Sequence, residues 1–152
     1  MAANNETGVI QPYTDIAKIC QEKGAPYLCD TTQFVGKTEF NFTDSAIDYA
    51  VVAGHKIGGI TGTGILIAKD TTSLKPLIIG GGQEKGLRGG TQNYLGNETL
   101  AVALTYSLNN LPKHEAINSK RIQFEENIKS KFSNVVIIGE EAPRLSSTTY
   151  IS

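Results

Sequence analysis

The 152-residue sequence predicts an α/β fold, a mainly parallel sheet with helices, followed by a second unit of helices and short strands. Three observations lead there. Short apolar runs bounded by Gly and Asp have the length and near-continuous hydrophobicity of buried strands. These runs alternate with helical and loop segments, the order that lays helices over a sheet. Beyond residue 93 the texture changes to two consecutive helices and two terminal strands.

The first helix is read in YTDIAKICQEKG, Tyr13 to Gly24, where Ile16, Ala17, Ile19 and Cys20 recur at helical spacing, Thr14 is the expected N-cap and Gly24 the stop. Strands follow in PYLCD (Pro26 to Asp30), DYAVVAG (Asp48 to Gly54), TGILIAK (Thr63 to Lys69) and PLIIGG (Pro76 to Gly81). A second helix is expected over Asn97 to Leu111 with Leu100, Ala101, Leu104 and Leu108 on one face. A third, Lys113 to Phe132, carries a sparse apolar set of Ile117, Ile122, Phe124, Ile128 and Phe132, and is charged enough to face solvent. VVIIG at Val135 and STTYIS at Ser147 complete the series. The boundary between two units is expected near Pro112. There are no internal repeats.

Hydrophobic content of 39% and charged content of 19% are near the globular norm, and 16 glycines against 5 prolines follow no low-complexity period. A formal net charge of −1 argues against nucleic acid or an anionic membrane surface, which call for clustered Lys and Arg. No apolar run approaches the roughly 18 residues of a spanning helix, and MAANNETG has neither region of a signal peptide, so a cytoplasmic chain is expected. Cys20 and Cys29 make no disulfide framework or zinc spacing and are expected to be reduced and buried. Asn4 and Asn5 follow the initiator with no strand ahead of them, and STTYIS stops inside an apparent strand. The expectation is a segment of something longer.

The stretch AGHKIGGITGTGILIAK, Ala53 to Lys69, sets a histidine and a lysine between an apolar run and a loop with four glycines in seven residues. A lysine there is either a solvated strand end or an amine held near an electrophile. If Asp30, His55 and Lys56 sit at the C-terminal ends of parallel strands, they converge on the crevice where open α/β folds bind ligands. An acid, an imidazole and an amine match pyridoxal phosphate, whose ring nitrogen needs a carboxylate and whose aldehyde needs a lysine. Gly62-Thr63-Gly64 is only half of a dinucleotide fingerprint and opens a strand rather than a helix, and no P-loop occurs. The cluster Gly80 to Gly90, with Arg88 and Thr91, offers N–H groups, a hydroxyl and a guanidinium to an anion, or forms a flexible surface loop.

NNETG at Asn4 to Gly8, DTTQFVGK at Asp30 to Lys37, GHKIGGITGTGILI at Gly54 to Ile67 and GGGQEKGLRGGTQN at Gly80 to Asn93 resemble, in order and spacing, the cysteine desulfurases of class V aminotransferase type. The resemblance extends over essentially the whole chain. It implies part of a pyridoxal-phosphate transferase of fold type I, with residues 1–111 the second half of the cofactor-binding large domain and 112–152 the start of a small C-terminal domain. The reaction implied converts L-cysteine to L-alanine and leaves enzyme-bound persulfide sulfur for iron–sulfur cluster or thio-cofactor assembly. Lys56 resembles the lysine of the internal aldimine, and His55 the histidine that helps hold the phosphate. Asp30 is similar to the carboxylate on the pyridine nitrogen, and Gln33 to the amide that bonds the phenolic oxygen. Asn5 corresponds to the asparagine near cofactor and substrate carboxylate, and Thr91 to the threonine that reaches the partner's phosphate across a dimer. The implied partners are a second subunit or a complementing half of a split enzyme, and a sulfur acceptor or iron–sulfur scaffold protein. No metal site is expected.

Two departures accompany the resemblance. Ala53 stands where the family usually has a phosphate-binding serine, so weaker phosphate affinity is expected. The family's N-terminal phosphate loop, ring-stacking histidine and mobile-loop cysteine lie outside this chain, and Cys20 and Cys29 are expected to be structural. The chain alone is therefore expected to be inactive. The alternatives are another class V enzyme, an aminotransferase or selenocysteine lyase, and a non-catalytic remnant.

Overall fold

The computed structural model describes residues 1–152. The first amphipathic run folds as α1, Tyr13–Glu22, with Ala17 buried while Ile16 and Ile19 stay exposed. It begins directly after Pro12 with no side-chain cap, so Thr14 is not the N-cap; proline's fixed φ sets the chain into the first turn instead.

Three strands form one sheet in the order β1 (Leu28–Asp30), β2 (Tyr49–Ala53), β3 (Gly64–Ala68). Strand β1 pairs parallel with β2, placing Asp30 beside Val51, and β3 pairs antiparallel with β2 from Ala53 opposite Gly64 to Tyr49 opposite Ala68. The reversal follows from length. A parallel return takes a crossover of roughly a dozen residues or more, usually helical, and the Gly54–Thr63 link is shorter than that.

Two apolar clusters pack the sheet. One gathers Ala2, Ala3, Ala17, Cys29, Phe34, Ile47 and Leu145, and the other Val35, Val52, Ile57, Leu100 and Ala103. Phe34 anchors the first through edge-on contacts with Tyr13 at 5.0 Å and Phe40 at 6.1 Å between centroids. The N-terminal residues form a hairpin, Ala3 bridging Ile10, that lies between the two ends of the chain's path. On one side the Ala2 N–H donates to the Asp30 carbonyl at 2.7 Å; on the other Leu145 N–H donates to the Gly8 carbonyl at 2.8 Å.

Helix α2, Tyr94–Asn109, starts earlier than the periodicity predicts because Asn93 caps it, its Oδ1 accepting the Gly96 N–H at 3.0 Å. Its buried stripe is Gly96, Leu100 and Ala103; Ala101 and Leu108 face solvent. Pro112 sits in a short 3₁₀ turn, Leu111–Lys113, that leads into α3, His114–Lys131. Helix α3 buries Glu125, whose carboxylate takes a bidentate pair of hydrogen bonds from Arg144 (both 2.9 Å) and further ones from Arg121 (2.9 Å) and Thr149 (2.6 Å).

Three expected strands are corrected. PLIIGG forms none: Leu77 and Ile79 are 95% and 86% exposed, and the segment turns back on itself, with Gly89 N–H donating to the Ile78 carbonyl. Its apolar residues have no neighbouring strand to pair with. The runs at Val135 and Ser147 do meet antiparallel, Val136 and Ser152 exchanging both backbone hydrogen bonds, but the contact amounts to the single bridge Ile137–Ile151. No helix is long and apolar enough to cross a membrane.

Candidate functional site

The C-terminal ends of β1 and β2 are where the chain brings its chemistry together. β2 ends at Ala53 and the chain closes at once into a 3₁₀ turn, Gly54–Lys56, whose first carbonyl accepts the N–H of both Ile57 (3.1 Å) and Gly59 (2.9 Å). His55 and Lys56 ride on that turn with exposed side chains. Buried neighbours hold it still. Ile57 packs against Leu100 and Ala103 of α2, and Ser107 donates to the Ile57 carbonyl at 3.3 Å. A Cβ at Gly54 would stand 2.6 Å from the Thr63 Oγ1, so any larger residue there forces a shift.

Asp30 ends β1. One carboxylate oxygen accepts the Thr32 N–H at 2.9 Å, and the side chain is otherwise exposed. The next residue, Thr31, is fully buried and donates both its N–H (3.1 Å) and its hydroxyl (2.9 Å) to the Val51 carbonyl, which fastens the following turn to β2. Within that turn Phe34 enters one apolar cluster and Val35 the other, so the polar residues around them are carried on a doubly anchored segment.

Gln33 belongs to that segment. Its Nε2 donates to Asn5 Oδ1 at 2.5 Å, and its Oε1 accepts from Lys37 Nζ at 2.6 Å. Asn5 projects from the N-terminal hairpin, whose tip is shaped by Asn4 accepting the N–H groups of Glu6 and Thr7, and its own Nδ2 donates to Glu6 at 2.8 Å. Burial, and secondly the nearby charge of Lys56, push the Lys37 ammonium below its usual range. No ion pair engages Lys56, His55, Asp30 or Lys37.

The structure thus places Asp30, His55 and Lys56 on adjacent strand ends and joins Gln33 to Asn5. Thr91 is exposed in the loop ahead of α2 and has no hydrogen bond to this group; Arg88, its neighbour, donates to the Gly89 and Gly90 carbonyls of its own loop. Ala53, half-buried opposite Gly64, supplies no hydroxyl at the place expected for a serine. Lys37 and Glu6 were not singled out by sequence reasoning. The available signal was a four-residue Gln–Lys spacing, which on a turn carries no periodicity to point at it.

Three comparisons with known proteins bear on the site. The family profile described as aminotransferase class-V matches residues 1–151. Among curated proteins the chain is 38% identical over 155 residues to cysteine desulfurase IscS of Rickettsia prowazekii (strain Madrid E) and 32% identical over 152 residues to a cysteine desulfurase of Enterobacter agglomerans, covering all of this chain in each case. The chain spans 38% of the length of both. Among solved structures, the NifS-like protein from Rickettsia africae ESF-5 superposes with a TM-score of 0.93 at 36% identity, covering 99% of this chain and 42% of that one. SspA in complex with cysteine superposes with a TM-score of 0.80 at 31% identity, with the same coverage.

Proposed function

Because the chain belongs to the class V aminotransferase family, whose members are pyridoxal-phosphate-dependent enzymes, we propose that it is the cofactor-anchoring part of a cysteine desulfurase, with Lys56 as the anchor. The observation that carries the reading is the placement of Lys56 and Asp30 at the ends of adjacent parallel strands, both exposed and neither used in an ion pair. The donor set fits the cofactor chemically: a primary amine for its aldehyde, a carboxylate for its ring nitrogen, an amide donor for its phenolic oxygen and an imidazole beside the amine.

When bound, pyridoxal phosphate supplies an electron sink for the substrate's α-carbon. Lys56 holds its aldehyde carbon through the side-chain amine. Asp30 keeps a proton on the ring nitrogen, because a carboxylate at that atom favours the charged pyridinium. Gln33 donates an N–H to the phenolic oxygen, His55 contributes to holding the phosphate, and Asn5 orients the substrate carboxylate. Ala53 leaves the phosphate one hydroxyl short. In this reading residues 1–111 belong to the large domain and 112–152 begin the small one.

L-cysteine is the proposed substrate, with sulfur passed as a persulfide to an acceptor or iron–sulfur scaffold protein. What favours it over other class V chemistry is that curated relatives matched over the whole of this chain carry the cysteine desulfurase name. A second subunit is proposed to cover Leu77, Ile79 and Leu95, apolar side chains exposed on the stretches flanking Thr91, which would then reach the partner's phosphate. Adding pyridoxal phosphate to the purified 152-residue chain tests the reading. A visible absorption band distinct from free cofactor is expected, absent in Lys56→Ala; an identical band in that variant would overturn the assignment.

A further inference from the structure

An ammonium group donates hydrogen bonds and accepts none. Lys37 Nζ, 2.6 Å from the Gln33 side chain, therefore fixes which end of that amide faces it: the carbonyl oxygen. The NH₂ end is turned the other way, toward Asn5. One of its two hydrogens goes to Asn5 Oδ1, and Asn5 passes the same polarity on to Glu6. The chain runs one way, from cation to carboxylate, with every donor and acceptor in register. The second Gln33 N–H is left for another acceptor.

The position of Lys37 is dictated by the backbone. Gly36 holds φ at +78°, where side chains other than glycine's are strained, and a Cβ there would lie 2.9 Å from Ser107 Cβ. Phe34 and Val35 are pinned in separate clusters just before it. The placement is also costly for stability alone. A half-buried cation beside a second lysine, bonded to a neutral amide rather than a carboxylate, does not recover its lost hydration.

We propose that Lys37 is a positioning residue: it locks the Gln33 amide with its carbonyl inward and its NH₂ toward the crevice, so that Gln33 meets the cofactor's phenolic oxygen only as a donor. The second half of this statement rests on the reading that Lys56 anchors pyridoxal phosphate; the lock itself does not.

The test begins without cofactor, on the ¹⁵N-labelled 152-residue chain, with the Gln33 side-chain NH₂ signals assigned by their loss in Gln33→Ala. Wild type should show two well-separated protons, of which the one bonded to Asn5 exchanges slowly. Lys37→Met should move the Asn5-bonded proton toward its free-glutamine position and speed its exchange by about tenfold or more, the loss expected for one charged hydrogen bond. Lys37→Arg, which keeps a donor, should restore the wild-type pattern. Unchanged Gln33 signals in Lys37→Met overturn the lock, and should that variant unfold, Lys37→Ala gives the same comparison.

With pyridoxal phosphate added, the pH midpoint of the bound-cofactor absorbance should shift alike in Lys37→Met and Gln33→Ala, with no further shift in the double variant. Additive shifts would show Lys37 acting on the cofactor independently of Gln33 and would overturn its role as a positioning residue. If wild type takes up no cofactor, the Lys56 reading fails while the amide spectrum still decides the lock.

Discussion

At the scale of single residues, the two thiols set a limit on what this chain does unaided. Cys29 is fully buried in β1, and burial pushes its thiol above the usual range, the opposite of what a sulfur nucleophile needs. Cys20 lies partly buried on α1, a packed helix rather than a mobile loop. Removing sulfur from a substrate thiol needs an accessible thiolate to attack it. The expected outcome is that the 152-residue chain, given pyridoxal phosphate and L-cysteine, releases no sulfide above a protein-free control under reducing conditions. Turnover that survives replacement of both cysteines by serine would contradict this view of the thiols. Lys56, His55 and Asp30 were legible in the sequence because strand-end logic points at them from apolar runs alone. Lys37 was not, because its meaning depends on which end of a neighbouring amide it touches.

At the scale of elements, the helices and the three sheet strands were legible to within a few residues, since each has a bounded apolar run of the right length. The failures have physical causes. PLIIGG has strand composition, but a strand exists only through a partner, and nothing pairs with it. The reversal of β3 is encoded in the length of the link before it. That link also contains the tightest packing near the site. Thr63 packs directly over two glycines, its Oγ1 2.6 Å from where a Gly54 Cβ would be and its Cγ2 2.2 Å from where a Gly96 Cβ would be, so a side chain at either position would have to displace it. Gly54→Ala should therefore cost about 1–3 kcal/mol, typical of forced overpacking, and be read as a lower midpoint in thermal or urea denaturation. An unchanged midpoint would mean that the β2–α2 contact is looser than these distances imply.

At the scale of the whole molecule, Glu125 ties α3 to the C-terminal segment, and Arg144 carries the tie onward by bridging Val9 of the N-terminal hairpin that supports Asn5. Burial raises the Glu125 carboxyl, but hydrogen bonds from Arg144, Thr149 and Arg121 outweigh it and bring it down to about 2. Its folded value lies below its unfolded one, so the stabilisation is fully present above the ordinary glutamate value of about 4.3 and is lost as pH falls toward about 2. Glu125→Gln should cost about 3–5 kcal/mol at neutral pH, because it leaves two guanidinium groups without their shared partner, and should flatten the acid limb of the stability curve. A variant as stable as wild type at pH 7 would contradict that role. The proposed chemistry turns on one amine, and the most direct measurement is peptide mapping after borohydride reduction of the chain equilibrated with pyridoxal phosphate. The reduced cofactor should be found as a covalent adduct on the peptide containing Lys56 and on no other; an adduct on Lys37 or any other lysine, with Lys56 unmodified, would contradict the account at its centre.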